Sequence, residues 1–186
     1  MTIPRIAPLE PPYPADVQDR FDRIMPDGVP PLTLFRTLAR NARVYERIHA
    51  GGLLDKGSLS LRQREIVIDR TCARCGAEYE WGVHIAFFAE RVGLDAEQQS
   101  AIVHGQASAA CWSAEERLLI LLADALHDGQ QIPAPLWQNL AEAFSEEQLI
   151  ELIALCGFYH TISFLVRGLD LPLESYAARF PAAPDA

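Results

Sequence analysis

The chain has 186 residues, 49% of them hydrophobic and 22% charged, with a formal net charge of −9. That profile excludes a disordered chain and predicts one soluble domain, long enough to bury a real core. The negative field repels phosphate backbones and acidic lipid, so neither nucleic acid nor a membrane is an expected partner, and an anionic substrate would have to be met by a local arginine cluster.

The opening segment "MTIPRIAPLEPPYP" shows no basic-then-apolar leader pattern, and no apolar run reads as long enough to cross a bilayer, which predicts a cytoplasmic protein. Prolines at 4, 8, 11, 12, 14, 26 and 30 remove amide donors and fix the backbone angle. Residues 1–30 therefore read as an extended arm with one short helix near 15–25, laid across the domain or a neighbouring subunit. Residues 31–180 read as a single helical domain and 181–186 as a tail.

After Pro31, Leu34, Phe35, Leu38, Ala42, Tyr45 and Ile48 recur at three- and four-residue steps until "AGGLLDKGS" interrupts them. Four later helix starts are marked by a capping side chain with Glu or Gln three residues on: Ser60 with Gln63, Asp95 with Gln98, Ser113 with Glu116, and Ser145 with Gln148. Gly76, Gly93, Gly129 and Gly168 each follow a periodic segment and are expected to close a helix in the left-handed conformation. A further short helix fits between Pro133 and Phe144. No segment alternates β-branched residues between hairpin turns, so the fold class is all-α. The run "QLIELIALCGFYHTISFLV" is apolar nearly all round, which calls for a helix covered on most sides by its own domain or by a second copy, and so predicts a homo-oligomer.

Chemistry concentrates in "TCARCGAEYEWGVH", residues 71–84. Gly76 divides the region into a helix over about 61–74 and another over about 77–92. On the second, Glu80 and His84 share a face and can touch. An antiparallel hairpin could bring Glu65 of the first helix against them. A carboxylate beside an imidazole orients the ring and raises its pKa, and a second buried carboxylate can be held neutral, giving separate acid and base. The competing reading is an i, i+4 salt pair on a solvated face.

Tyr79 and Trp81 read as core aromatics first and as a substrate platform second. Cys72 and Cys75 form a C-x-x-C pair that could work as a dithiol. They stand at the end of a helix, however, where the dipole opposes thiolate, and buried free thiols are the commoner case. Glu65, Glu80 and His84 offer ligand chemistry for an open zinc or iron site but only one imidazole, so no metal and no cofactor is expected. His49 reads as surface, His104 and His127 as isolated, and His160 as a hydrogen-bonded core residue or a pocket wall.

The stretch "LSLRQREIVIDRTCARCGAEYEWGVHIAFFAERVGL" (residues 59–94), above all the glutamate of "REIVI" and the run "EYEWGVH", resembles the carboxymuconolactone decarboxylase family, whose helical fold is shared with the alkyl hydroperoxide reductase D-type peroxidases. In the peroxidase branch the pattern is a glutamate, a cysteine twelve residues on, a second cysteine three further and a histidine four further. Laid on this chain, the glutamate and histidine fall on Glu65 and His84, whereas Ala77 and Glu80 occupy the cysteine positions. Cys72 and Cys75 keep the spelling five residues earlier, an offset that on a helix turns them away from His84.

The resemblance implies a cofactor-free lyase in which a small carboxylated lactone loses carbon dioxide and is protonated at carbon. His84 or Glu80 would deliver the proton, Glu65 would tune His84, and Arg62, Arg70 or Arg74 would hold the substrate carboxylate. An antioxidant thiol peroxidase using Cys72 and Cys75 is the second reading. A non-enzymatic oligomeric binding protein is the third.

Overall fold

Backbone amides left without partners at helix starts decide most of the architecture. The computed structural model is described over residues 3–183, with the last three residues of the expected tail and the first two of the arm outside that range. Nine helices lie within it: α1 (Ala15–Ile24), α2 (Thr33–Leu38), α3 (Ala42–Ala50), α4 (Leu61–Arg74), α5 (Glu78–Val92), α6 (Ala96–His104), α7 (Ala114–Gly129), α8 (Ala134–Ala143) and α9 (Glu146–Gly168). No strand occurs among the described residues. All four predicted capping boxes form: Ser60, Asp95, Ser113 and Ser145 each accept from the amide three residues on, and Gln63, Gln98, Glu116 and Gln148 each accept from the cap amide.

Two sequence expectations are corrected. The periodic segment after Pro31 is not one helix, because Asn41 accepts from the Val44 amide and starts α3 afresh after the turn that ends α2. Of the four predicted glycine stops, Gly76 (φ +64°) and Gly93 (φ +66°) take the left-handed conformation. Gly129 and Gly168 instead end their helices in helical geometry, and the left-handed residues are Gln130 and Asp170. The short polar side chain of aspartate tolerates that conformation; nothing in the structure explains the glutamine.

α4 is the central element and packs against α5, α6, α7 and α9. Its arginines set the register with α7. Arg62 pairs with Glu116, Arg70 with Asp124 and Arg74 with Asp128, each pair 54 residues apart, so the two helices run parallel. α5 returns antiparallel after Gly76. α9 follows the direction of α4: Gln148, in its first turn, bonds to the Ser58 carbonyl, and Arg167, in its last, bonds to the Cys75 carbonyl.

α9 also corrects the view that no run is long enough to cross a bilayer. Its 23 residues pass that test by length and composition. Leu152, Leu155, Tyr159, Ile162 and Val166 nevertheless recur at three- and four-residue steps as fully packed side chains, the pattern of a core helix with one covered face. On its other face Ile150 and Phe164 are 70% and 71% exposed.

The terminal segments are fastened to this bundle. Arg5 bonds to the carbonyls of Gly168 and Leu169, Leu9 exchanges bonds with Arg36, and Val17 and Phe21 of α1 are buried. At the other end the Ala178 amide donates to the Gly82 carbonyl (3.0 Å), and Phe180 packs edge-on against Trp81.

Candidate functional site

The hairpin of α4 and α5 turns on Gly76, and the Ala77 amide closes it on the Cys72 carbonyl at 2.8 Å. That turn brings Glu65, Glu80 and His84 together in the interior, at 0%, 7% and 4% exposure, which rules out a solvated surface pair. His84 Nδ1 donates to Glu65 Oε2 at 2.7 Å. Its other nitrogen, Nε2, lies 3.1 Å from the Tyr159 hydroxyl of α9 and 3.5 Å from Glu80 Oε1. Burial alone would push the imidazole toward its neutral form, but Glu65 and then Glu80 lift its pKa to about 10, so the ring is an imidazolium at neutral pH. Glu80 Oε2 is buried with no hydrogen-bond partner among the described residues.

Three residues complete the cluster that sequence reasoning did not pick out. Asp69, one turn after Glu65 on the same face of α4, is buried. Burial holds its carboxyl well above the usual carboxylate range, opposed by His84 and reinforced by Glu65 and Glu80. The i, i+4 step from Glu65 was the available signal. Arg64 joins Glu65 Oε1 through Nε at 3.2 Å and sits over the ring of Phe88, which packs against His84. Tyr159 comes from an apolar run almost a hundred positions past Glu65, and no local spacing announces it.

The arginines expected to bind substrate are engaged elsewhere. Arg62 bonds to Glu116 and to the last carbonyls of α5, at Val92 and Gly93. Arg70 forks onto Asp124 at 2.7 and 2.8 Å and reaches the carbonyls of Ile102 and Gly105 at the end of α6. Arg74 pairs with Asp124 and Asp128. All three are spent on joining α4 to its neighbours, and Arg64 is the arginine at the acid–imidazole cluster. Tyr79 and Trp81 are core residues and not a platform: the Tyr79 hydroxyl donates to Glu174 and accepts from the Leu34 amide, and Trp81 is sealed under Phe180.

The thiols divide. Cys72 and Cys75 are both free and buried. Cys72 follows Glu65 and Asp69 at the i+7 position on α4 and is fully buried within electrostatic reach of Glu80 and Asp69. Burial first, then those carboxylates, push its pKa well above the ordinary thiol value. Cys75 faces another direction, with Sγ 3.7 Å from His127 Nδ1. It borders a cleft of about 860 Å³ that His127, His160, Phe164 and Arg167 also line.

Around this buried acid–imidazole cluster the helical fold is one shared with solved proteins, and a family model matches part of the chain. Residues 39–124 match the model of the Carboxymuconolactone decarboxylase family. Similar solved structures include an uncharacterized peroxidase-related protein from Silicibacter sp. TM1040, with 16% identity over 94% of each chain and a TM-score of 0.80. Another is an uncharacterized peroxidase-related protein with an alkylhydroperoxidase AhpD core from Ralstonia eutropha JMP134. It is 18% identical over 91% of this chain and 93% of its own, with a TM-score of 0.76. The debrominase Bmp8 in its apo form is 14% identical over 92% of each chain, with a TM-score of 0.72. At these identities the likeness is one of fold. No curated protein matches the chain.

Proposed function

We propose that the chain is a cofactor-free acid–base enzyme acting on a small carboxylated substrate of the lactone type, with His84 as proton donor. The observation that carries this reading is the buried imidazolium of His84, held at Nδ1 by Glu65 and directed through Nε2 toward Tyr159 and Glu80. In decarboxylation the bond to the departing carbon dioxide leaves its electron pair in the conjugated system, and one proton must then be added at carbon. His84 supplies that proton from Nε2, while Glu65 fixes the ring and stabilises the charged form before transfer.

Arg64, at the edge of the cluster, replaces Arg62, Arg70 and Arg74 as the group that receives the substrate carboxylate. The unpartnered Glu80 oxygen accepts from the substrate, since a buried acceptor left unpaired is costly. The cluster is closed by Phe88 and Arg64, both partly exposed, and substrate entry displaces them.

The test follows carbon dioxide release from carboxymuconolactone and related carboxylated lactones. His84→Ala should abolish turnover while the helical circular dichroism stays unchanged. Full activity in that variant, or no turnover by the native chain, would overturn the assignment.

A second reading, a thiol peroxidase using Cys72 and Cys75, draws on the peroxidase-related neighbours and on the position of Cys72 beside Asp69 and Glu80. One hydroperoxide would be reduced to alcohol and water as the two thiols become a disulfide, reset by an external dithiol. Burial and adjacent carboxylates oppose the thiolate it requires. Hydroperoxide consumption that disappears in Cys75→Ser would favour this reading over the first.

A further inference from the structure

Cys75, His127 and His160 sit far apart in sequence, at the end of α4, in the last turn of α7 and in the middle of α9. Sequence reasoning treated His127 as isolated and His160 as a core residue or pocket wall, and the parallel course of the three helices brings all three side chains to one wall of the 860 Å³ cleft. Cys75 Sγ lies 3.7 Å from His127 Nδ1, and the same Nδ1 lies 3.2 Å from His160 Nε2. All three ligand atoms fall within 4.8 Å of one another.

The two separations at His127 match a shared coordination sphere. With zinc–nitrogen bonds of about 2.0–2.1 Å and a zinc–sulfur bond of about 2.3 Å, tetrahedral angles place neighbouring nitrogens about 3.3 Å apart and nitrogen and sulfur about 3.6 Å apart. Hydrogen bonding alone satisfies the trio poorly. One ring nitrogen of His127 faces both sulfur and nitrogen, and it holds either a single proton or a single lone pair. His160 is already oriented: its Nδ1 donates to the Cys156 carbonyl at 2.8 Å, which leaves the Nε2 lone pair aimed at the cluster. Metal-bound imidazoles are commonly held by a backbone carbonyl in this way. The backbone of Cys75 is fixed as well, by Arg167 Nη1 donating to its carbonyl at 2.7 Å.

We propose that Cys75, His127 and His160 bind a divalent transition metal of the zinc type, with three protein ligands and a fourth position open to the cleft. One sulfur and two imidazoles select such a metal over magnesium or calcium, which take oxygen ligands. Binding exchanges the thiol proton of Cys75 for the metal and releases that proton to solvent. Arg74 and Arg167 on the cleft wall favour an anion as the fourth ligand. The site is separate from the acid–imidazole cluster and does not depend on the function proposed for it.

Cobalt(II) is the probe, titrated into the full-length, reduced, chelator-treated protein and followed by optical absorption. The expected result is stoichiometric binding with a thiolate-to-cobalt charge-transfer band in the near ultraviolet and the intense visible bands of tetrahedral cobalt, both abolished by added zinc. Cys75→Ser should remove the charge-transfer band. His127→Ala and His160→Ala should each weaken binding by about tenfold or more. Cys72→Ser and Cys111→Ser should leave the titration unchanged, and circular dichroism establishes that each variant keeps its helices. No charge-transfer band in the native chain, its persistence in Cys75→Ser, or its loss in Cys72→Ser would overturn the proposal.

Discussion

Raising the pH should weaken the fold through His84. Burial disfavours the charged ring, yet Glu65 and Glu80 lift its pKa to about 10, against about 6.5 in an unfolded chain. A pKa raised by folding contributes stability that is complete below the unfolded value and is lost as pH climbs through the folded one. The window here runs from about pH 6.5 to about pH 10. Within it each pH unit removes about 1.4 kcal/mol, so the step from pH 7 to pH 8.5 removes about 2 kcal/mol. Asp69, held by burial above the usual carboxylate range, acts in the same direction. Urea unfolding followed by helical circular dichroism at both pH values, for the native chain and for His84→Gln, measures the effect. The native chain should lose about 2 kcal/mol more than the variant over this step. Equal stability of the native chain at the two values, or the same loss in both proteins, would refute the assignment of a charged, buried His84.

Three further outcomes follow from the packing. Arg70→Leu should destabilise by about 3 kcal/mol in denaturant unfolding, because it leaves Asp124 with only the longer Arg74 contact and strands two helix-end carbonyls. The KM of the folded fraction should not change, since Arg70 does not reach the acid–imidazole cluster. Gly82→Ala drives a methyl group into the carbonyl of Ala178 and should cost about 1–3 kcal/mol, with faster proteolytic cleavage after residue 173 as the local signature. Ser145→Ala removes the cap that accepts from the Gln148 amide and should cost about 1 kcal/mol, read as a lower melting temperature.

Much of the fold was legible because its signals are local. A capping box needs four consecutive positions, and all four boxes formed where the sequence placed them. The acid–imidazole cluster was legible for a related reason: Glu80 and His84 are one helical turn apart, and Gly76 marks the hairpin that returns α5 to Glu65. The arginines misled because their residue type fits a carboxylate ligand and an inter-helix ion pair equally well. Only the common spacing of 54 residues to Glu116, Asp124 and Asp128 reveals the parallel ladder, and that spacing has no meaning until α7 is placed beside α4. Tyr159 and the meeting of Cys75 with His127 and His160 are products of three helices in register, which no short window contains.

The C-x-x-C spelling on α4 therefore serves two directions at once. Cys72, at the i+7 position from Glu65, is fully buried within electrostatic reach of Glu80 and Asp69, while Cys75 approaches His127 across the parallel interface. A disulfide between them would draw Cys75 off His127, and a metal on Cys75 would occupy the sulfur that a dithiol cycle must use to resolve the oxidised partner. The peroxidase reading and the metal site consequently exclude each other at one atom. Alkylation of reduced, folded protein decides between them. With zinc bound, Cys75 should be alkylated several times more slowly than in chelator-treated protein, and hydroperoxide should leave the zinc-loaded thiols unoxidised. Equal alkylation in the two forms, together with a Cys72–Cys75 disulfide on peroxide treatment, would show that Cys75 serves the dithiol and not the metal.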